Sequence, residues 1–341
     1  MNESVLYGLV PGSSAPASYH GCAAHPTFGD AGAELAAAVG GRGCVDHSMF
    51  GRIEVSGTDR IDLLHRLSTN ALAGLGEGAA AATVFVTDKG RIVDRVLVCA
   101  LDKTLLLLTS PRTEAFLAAW IGKYTITEDI TLSVITGGTA MVSFTGPEAL
   151  SAFCAGERCA LPAAPGVTRA GPYTVAREPD GNVGHVITGA ADAPALARGV
   201  AALAPGARWI GFRAWEAYRI GRGIPSSPGE LNGEHNPLAC GLRDAISFTK
   251  GCYIGQEVIA RLDTYGKERH ALAALAFTRM PGGTLPLPLT HDGSPAGTLT
   301  SVSDVAQGGA FPALAVVRRD AAPPGTTLRA PDGDGTVTGY F

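Results

Sequence analysis

The sequence contains none of the short motifs that mark common nucleotide, metalloprotease or serine-hydrolase sites. It has no G-x-G-x-x-G, no G-x-x-x-x-G-K-S/T, no H-E-x-x-H and no G-x-S-x-G. Each of these motifs answers a physical need, such as a glycine-rich turn that lets the backbone approach a phosphate. Their absence counts against dinucleotide-binding, P-loop, zincin and α/β-hydrolase functions.

The chain also lacks a cysteine framework. It has seven cysteines, an odd number, and no Cys-x-x-Cys pair. This usage disfavours structural disulfides and fits a reducing compartment. His20, Cys22 and His25 lie close together, and imidazole and thiolate ligands suit zinc. Because no fourth ligand is nearby in the sequence, we interpret the segment as an irregular tail and predict no metal site.

Strong charge and long apolar runs are absent as well. The formal net charge is −4 and 17% of the residues are charged, which gives no electrostatic footprint for nucleic acids or membranes. The most apolar window, residues 96–108, is interrupted by Asp102 and Lys103 and is too short to span a bilayer. The first residues, MNESVLYGLVPG, carry no Lys or Arg, which disfavours a secretory signal or transit peptide. We expect a soluble, cytoplasmic protein that binds neither membranes nor nucleic acids directly.

The length of 341 residues predicts two or three domains, and the 45 glycines and 22 prolines indicate many turns. Residues 1–42, rich in Ala, Gly, Ser and Pro, are predicted to form an N-terminal extension with one short helix near residues 34–39. Residues 43–264 are predicted to form a core of two βαββα-type halves. Residues 265–341, where short apolar runs alternate with Gly and Pro, are predicted to form a β-barrel.

Hydrophobic periodicity places strands and helices along the core. Strands are predicted over 53–56, 83–87, 92–101, 104–109, 131–136, 141–145, 173–176 and 183–188. Helices are predicted over 61–67, 110–123 and 193–203, from Pro147 onward, and where Phe212, Trp215, Tyr218 and Arg219 share one face. Because short strand pairs alternate with single helices, the pattern favours an α+β fold over one long parallel sheet.

The segment Lys250-Gly251-Cys252-Tyr253-Ile254-Gly255-Gln256-Glu257 carries the clearest chemical signal. A helix is predicted over residues 254–262, which places Cys252 just ahead of its N-terminus. Exposed backbone N–H groups and the helix dipole favour a thiolate there, and Lys250 adds a nearby cation. A buried structural cysteine is the alternative, and local physics alone favours neither interpretation.

This segment resembles the K-G-C-F/Y-x-G-Q-E signature of the YgfZ family, and Arg261 matches the arginine that follows it. Residues 230–238 and 247–249 resemble the lead-in of the same family. Besides Lys250 and Cys252, the signature positions are Gly251, Tyr253, Gly255, Gln256, Glu257 and Arg261. Because the match is long and specific, the chain is identified as a member of the YgfZ branch of the glycine-cleavage T-protein-like superfamily.

The resemblance to this superfamily extends over residues 43–341. Residues 45–48 and 53–57 resemble its D-x-S and v-x-G elements, 67–70 its T-N-D loop, and 88–94 its G-G-I-x-D hairpin, while 293–301 and 313–317 resemble strands of its C-terminal barrel. The resemblance implies three domains arranged like a clover leaf, two of mixed α/β type and one β-barrel. It further implies a central channel that holds tetrahydrofolate with the pterin end deep.

The resemblance also implies which residues contact folate. Asp94 matches the hairpin aspartate beside the reactive folate nitrogens, where a carboxylate orients the pterin or assists proton transfer; an exposed strand aspartate is the alternative. Asn70 and Phe50 match channel-lining positions, and Arg219 either contacts the ligand or only supports structure. The R-L-E-A-G run of T-proteins holds the pterin edge through its Glu. Gly221 stands at that position here and has no side chain to accept hydrogen bonds.

The implied function is that of a folate-binding protein which supports the synthesis or repair of iron–sulfur enzymes, including tRNA-modifying ones. We predict tetrahydrofolate or a derivative as cofactor, folate and iron–sulfur client enzymes as partners, and Cys252, Lys250 and Asp94 as catalytic residues. One cysteine cannot hold an iron–sulfur cluster, which normally needs four ligands, so the chain is expected to assist iron–sulfur enzymes and not to carry a cluster itself. The alternative is a tetrahydrofolate-dependent aminomethyltransferase or demethylase, which Asp94 favours and Gly221 and Cys252 disfavour.

Overall fold

The structure of the chain is a computed structural model. The residues that it describes are 2–10, 14–266 and 268–341. Contacts within the chain divide it into two units, of which the first contains residues 1–83 and 95–215, and the second contains residues 84–94 and 216–341. Residues 84–94, which separate the two segments of the first unit in the sequence, therefore belong with the C-terminal part of the chain.

Short strands alternate with single helices along the chain. The helices are α1 (Ala31–Val39), α2 (Arg60–Leu67), α3 (Glu114–Gly122), α4 (Pro147–Gly156), α5 (Ala193–Ala201), α6 (Phe212–Gly221) and α7 (Gln256–Thr264). The first strands are β1 (Asn2–Glu3), β2 (Ala17–Tyr19), β3 (Cys22–Ala24), β4 (Gly43–Asp46), β5 (Phe50–Ser56), β6 (Ala80–Val86), β7 (Ile92–Ala100), β8 (Leu105–Pro111), β9 (Thr131–Val134) and β10 (Thr139–Thr145). The later strands are β11 (Gly166–Ala170), β12 (Tyr173–Arg177), β13 (Val183–Gly189), β14 (Arg208–Trp209), β15 (His270–Phe277), β16 (Leu287–His291), β17 (Ser294–Val302), β18 (Phe311–Arg318), β19 (Thr327–Ala330) and β20 (Gly333–Tyr340).

Two mixed α/β layers account for most of the first unit. One sheet has the strand order β6-β7-β8-β5-β9, and the other has the order β11-β12-β13-β10-β4-β14. In the second sheet β14 pairs parallel with β4, whereas β10 pairs antiparallel with β13 and β4. Leu150, Phe153, Leu196 and Val200 of α4 and α5 are buried in one cluster with Phe144 of β10. Burial of each such side chain contributes about 1.5–3 kcal/mol, so this cluster is a main source of stability.

The N-terminal residues are folded, which differs from the expected irregular tail. Strands β1, β3 and β2 form a small sheet, and Leu6 and Val10 are buried in the cluster around Phe144. The fully buried Glu34 of α1 accepts hydrogen bonds from the Thr27 hydroxyl (2.7 Å), the Phe28 N–H (2.7 Å) and the Gly211 N–H (2.8 Å). A low-complexity composition therefore conceals a segment that completes the core of the first unit.

A closed β-barrel with the strand order β15-β18-β17-β16-β19-β20 forms much of the second unit. Its interior holds alternate residues of each strand, such as Ala273, Leu275 and Phe277 of β15. This arrangement confirms the predicted α+β class with a C-terminal barrel. The exact domain limits at residues 42 and 264 stay predictions. In the described ranges, no helix combines the length and apolarity that a membrane crossing requires.

Two predicted helices begin later than expected. Helix α3 begins at Glu114 because the ladder of β8 with β5 runs on to Pro111. Helix α7 begins at Gln256, not at residue 254, because Gly255 adopts a left-handed conformation with φ 79°. A helix cannot extend backward through such a residue, so the predicted start was wrong by two residues.

Candidate functional site

The turn of the β6–β7 hairpin packs against the start of α7 within the second unit. A Cβ atom added to Gly255 would lie 2.5 Å from the backbone oxygen of Thr87, and φ at Gly255 is 79°. A larger residue would meet both left-handed strain and a backbone clash. On the other side of the contact, a Cβ on Gly90 of the turn would lie 3.2 Å from Val258. The signature glycine is thus explained by a close approach of two backbones.

The lead-in segment, residues 230–238, is hydrogen-bonded to the same hairpin. The N–H of Ile92 donates to the carbonyl oxygen of His235 over 3.0 Å. The guanidinium group of Arg91 donates to the carbonyl oxygen of Glu234. The hairpin, the lead-in and the signature, which the sequence resemblance singled out separately, are therefore assembled together in one unit.

Asp94 lies on the hairpin strand β7 and is only 1% exposed. Strand alternation places it on the same face as Ile92 and Val96, which are also buried. The interpretation of Asp94 as an exposed strand residue is therefore wrong. A buried carboxylate must be held by compensating interactions, so its position on the hairpin is fixed.

Lys250 is half-buried, and its ammonium nitrogen lies 5.0 Å from the ring centroid of Tyr253, in cation–π geometry. Burial lowers the pKa of Lys250 to about 8, because the charged form loses solvation. Burial also raises the pKa of Tyr253 to about 12, so the phenol stays neutral at physiological pH. Lys250 therefore exchanges between ammonium and amine close to neutral pH, as a proton-transfer group must.

The thiol of Cys252 is the accessible one among the seven cysteines. Cys252 is exposed and Cys159 half-buried, whereas Cys22, Cys44, Cys99, Cys154 and Cys240 are buried. This exposure excludes the interpretation of Cys252 as a buried structural residue. Helix α7 begins four residues later, at Gln256, so the helix dipole acts on Cys252 less than expected, since it falls off beyond the first turn. Accessibility is the stronger reason to expect reactivity.

The remaining signature residues shape the start of α7. Gln256 is its first residue, and the exposed Glu257 in the first turn complements the helix dipole. Glu257 lies 3.9 Å from Arg261 one turn later, and both side chains are more than half exposed. An exposed pair of this kind contributes only about 0–1 kcal/mol, so neither side chain is fixed by it.

Arg219 is buried at the end of α6 in an ionic network of the second unit. Its guanidinium group donates to Glu216 over 2.8 Å, to Ser301 of β17 over 2.8 Å and to Glu230 over 3.4 Å. The fully buried Glu230 also accepts from the hydroxyl of Ser301 over 2.7 Å. These contacts join α6, the lead-in and the barrel, which favours the structural alternative for Arg219. Its proposed contact with folate stays untested.

Asn70 and Phe50 lie in the first unit. The Asn70 side chain donates to the carbonyl oxygen of Ala82 and accepts from the N–H of Ala71, both over 2.8 Å. These two bonds fix the loop after α2, so the amide has a structural task whether or not it meets a ligand. The Phe50 ring is half-buried and lies 4.2 Å from the His47 ring, measured between centroids.

A buried polar chain in the first unit escaped the sequence reasoning. His47 Nδ1 lies 2.8 Å from Ser143 Oγ, which lies 2.8 Å from His185 Nδ1. His185 Nε2 lies 3.5 Å from Glu178, which forms a bidentate ion pair with Arg95. The available signal was the D-x-S element of residues 45–48, which contains His47 but indicates none of its partners. Within the described ranges, no group of three His, Cys, Asp or Glu side chains is arranged to hold a metal ion.

Comparison with known proteins shows the family to which this chain belongs. The GCVT N-terminal domain family matches residues 7–156. A chloroplastic protein of Arabidopsis thaliana, named as a candidate transferase, is 34% identical over 297 residues, which cover 83% of this chain and 67% of that protein. This chain belongs to the GcvT-like family. The family match begins at residue 7, so the GcvT-like part starts earlier than residue 43, where the resemblance was expected to begin.

Two relatives of this GcvT-like chain differ in function. The tRNA-modifying protein YgfZ of Colwellia psychrerythraea is 40% identical over 63 residues, 18% of this chain and 19% of that protein. The aminomethyltransferase of Rubrobacter xylanophilus is 29% identical over 234 residues, 64% of this chain and 61% of that enzyme. The likeness to YgfZ is higher but short, and the match covers less than two thirds of the aminomethyltransferase. Membership of the YgfZ branch therefore stays a prediction.

The fold of the GcvT-like chain also occurs in a solved structure. The crystal structure of glycine cleavage system aminomethyltransferase T from Bartonella henselae superposes with a TM-score of 0.84, covering 99% of this chain and 96% of that one. The sequence identity is 16%, so the likeness shows the fold alone. It confirms the predicted fold class, with mixed α/β domains and a C-terminal six-stranded barrel.

Proposed function

We propose that this GcvT-like protein binds a reduced folate and, as a member of the YgfZ branch, supports the synthesis or repair of iron–sulfur enzymes, including tRNA-modifying ones. The observation that carries the proposal is the packing of the signature helix α7 on the hairpin of Asp94 through Gly255. This contact joins the segment characteristic of YgfZ proteins to the segment that T-proteins use for folate. Cys252, Lys250 and Asp94 remain the candidate catalytic residues.

Two features support the YgfZ-type role over one-carbon transfer. The first is the absence of a carboxylate at Gly221, the position where T-proteins hold the pterin edge. The second is the exposed thiol of Cys252, with Lys250 two residues away and partly neutral near pH 8. An accessible thiol, with a proton acceptor two residues away in the sequence, suits transient reaction with a client or a small molecule.

A tetrahydrofolate-dependent aminomethyltransferase is the second candidate, and Asp94 favours it. The carboxylate is buried on the hairpin strand where such enzymes place an aspartate beside the folate nitrogens. Similarity to the aminomethyltransferase of Rubrobacter xylanophilus supports it too, over more of the chain than the likeness to YgfZ. Reconstitution with the other glycine-cleavage proteins separates the candidates, since we expect no turnover comparable to that of a T-protein.

Folate binding is tested by thermal unfolding with tetrahydrofolate. A ligand that binds only the native state at 100 times its Kd stabilises it by about 2.7 kcal/mol, so the unfolding temperature must rise with concentration. Asp94→Asn keeps the shape of the side chain but removes its charge, and we expect weaker binding. Asp88→Asn, on the exposed turn of the same hairpin, is the matched control and should bind as the wild type does. An unfolding temperature that does not move at millimolar tetrahydrofolate refutes the proposal.

A further inference from the structure

The buried polar chain of the first unit ends at an unsatisfied nitrogen. His47 is 1% exposed, and its Nε2 atom has no hydrogen-bond partner among the described residues, whereas Nδ1 is bonded to Ser143. A buried acceptor left unpaired costs about 1–3 kcal/mol, and native proteins rarely retain such a cost without a use for the group. The surroundings of this nitrogen are aromatic: the rings of Phe50 and Trp215 lie 4.2 and 4.4 Å from the His47 ring, between centroids.

The other end of the chain fixes which atoms carry protons. Glu178 is held as a carboxylate, because the Arg95 guanidinium group donates to both of its oxygens. Coulombic attraction by Arg95 and hydrogen bonding to His185 and Arg95 outweigh desolvation and keep the pKa of Glu178 far below its usual value. A carboxylate only accepts hydrogen bonds, so the His185 nitrogen that faces it, Nε2, must carry the proton.

For a neutral His185, this proton fixes the order along the rest of the chain. With Nε2 of a neutral His185 protonated, its Nδ1 is an acceptor and takes the hydroxyl proton of Ser143. The Ser143 oxygen must then accept from Nδ1–H of His47. A neutral imidazole carries one proton, so Nε2 of His47 is left with a lone pair. Burial lowers the pKa of His47 well below its usual value, because the charged form would lose its solvation, and this keeps the ring neutral.

We infer that Nε2 of His47 is a ligand-binding acceptor, which takes an N–H of the pterin ring or its amino group when a reduced folate is bound. The inference rests on the proposed folate binding and adds a recognition residue to it. The half-buried ring of Phe50, already a candidate folate-lining residue, packs against the His47 ring, so a planar ligand that displaces the Phe50 ring takes its place beside His47. Arg95, Glu178, His185 and Ser143 are positioning residues that set the tautomer of His47 and do not touch the ligand.

A matched substitution separates the two ends of the His47 ring. In His47→Asn the amide nitrogen takes the place of Nδ1 and still donates to Ser143, but no atom replaces Nε2. We expect the variant to unfold as the wild type does and to bind tetrahydrofolate about fivefold more weakly, as for one neutral hydrogen bond. Ser143→Ala leaves Nε2 in place but frees the tautomer, so it should weaken binding less.

Nitrogen-15 NMR measures the chemical shifts of the histidine ring nitrogens, and tetrahydrofolate would leave that of His47 Nε2 unchanged if His47 had only a structural role. The His47 signals are assigned in the wild-type protein by through-bond correlation with its backbone amide. Without ligand, we expect Nε2 to resonate as an unprotonated, weakly bonded nitrogen and to shift upfield when tetrahydrofolate is added, with Nδ1 unchanged. Because this measurement uses the wild-type protein, it decides the question even if the variant fails to fold.

Three results overturn the inference, and each differs from failure of the proposed function. The first is that Nε2 is found protonated in the free protein. The second is that its signal does not shift at saturating tetrahydrofolate, because a buried water already binds it. The third is that a folded His47→Asn variant binds tetrahydrofolate with the wild-type Kd. In these cases tetrahydrofolate still binds the wild type and only the role of His47 is lost. Absence of binding to the wild type refutes folate binding itself and this inference with it.

Discussion

Replacing Gly255 with alanine perturbs the contact on which the candidate site depends. A non-glycine residue in the left-handed conformation costs about 1–2 kcal/mol. The new Cβ would also lie 2.5 Å from the Thr87 oxygen, and relieving such an overlap by shifting a packed backbone costs a further ~1–3 kcal/mol. We expect a loss near 3 kcal/mol. If all 341 residues unfold together at about 2.1 cal/mol/K per residue, the unfolding temperature falls by about 4 °C.

Gly251→Ala is the matched control, because it changes a signature glycine that has free space. A Cβ on Gly251 meets no atom within 4 Å, and its backbone is outside the left-handed region. We expect its stability to change by less than ~0.5 kcal/mol. Urea unfolding gives the two free energies, and amide hydrogen exchange should show faster exchange in residues 84–94 of Gly255→Ala alone. If the two variants are equally stable and exchange alike, the close approach does not hold the hairpin, and the argument for an assembled site fails.

Three further expected outcomes concern Cys252, Lys250 and Gly221. Iodoacetamide should modify Cys252 first and Cys159 second, as peptide mass spectrometry will show; equal rates for the buried cysteines would contradict the burial pattern. Burial lowers the pKa of Lys250 from 10.5 to about 8, so between these pH values the unfolded state binds more protons than the folded state. The free energy of unfolding, relative to that of Lys250→Met, should therefore rise with pH across this window in urea titrations; a difference that does not change with pH would contradict the shifted pKa. Among the described residues, a Cβ atom added to Gly221 would meet only the Gln307 side chain, at 3.7 Å, so Gly221→Glu should fold normally. We expect it to bind tetrahydrofolate more tightly than Gly221→Ala in calorimetric titration; equal affinities would show that the pterin edge is not near this position.

Local patterns predicted the elements whose causes are local. The turn Asp88-Lys89-Gly90 between two apolar runs gives a hairpin from sequence alone, and the barrel strands are short runs between glycines and prolines. The predicted helical face that carries Trp215 and Tyr218 is buried. Helix α7 was placed two residues early because apolar spacing does not register the sign of φ at Gly255.

Long-range contacts were the part that sequence reasoning could not supply. The partners of Arg219 at Glu230 and Ser301 are 11 and 82 residues away, so its role as a buried link was not visible beside its candidate role in binding. The His47–Ser143–His185 chain joins residues 96 and 42 positions apart, and the D-x-S element that contains His47 indicates neither of the other two. Exposure of Cys252 was equally a property of the fold, although the signature pointed to the residue.

The carboxylate of Glu34 has a consequence for the order in which the chain folds during synthesis. It binds donors of Thr27 and Phe28, made just before it, and of Gly211, which follows 177 residues later. At roughly 5–20 residues per second, a ribosome needs about 10–35 s to deliver that last donor. Until then the second carboxylate oxygen of Glu34 lacks the donor that it has in the folded protein, so the N-terminal segment cannot complete its buried contacts with the first unit. The N-terminal segment therefore stays incompletely folded until the ribosome has made the start of α6. Chaperones can bind the segment during this delay.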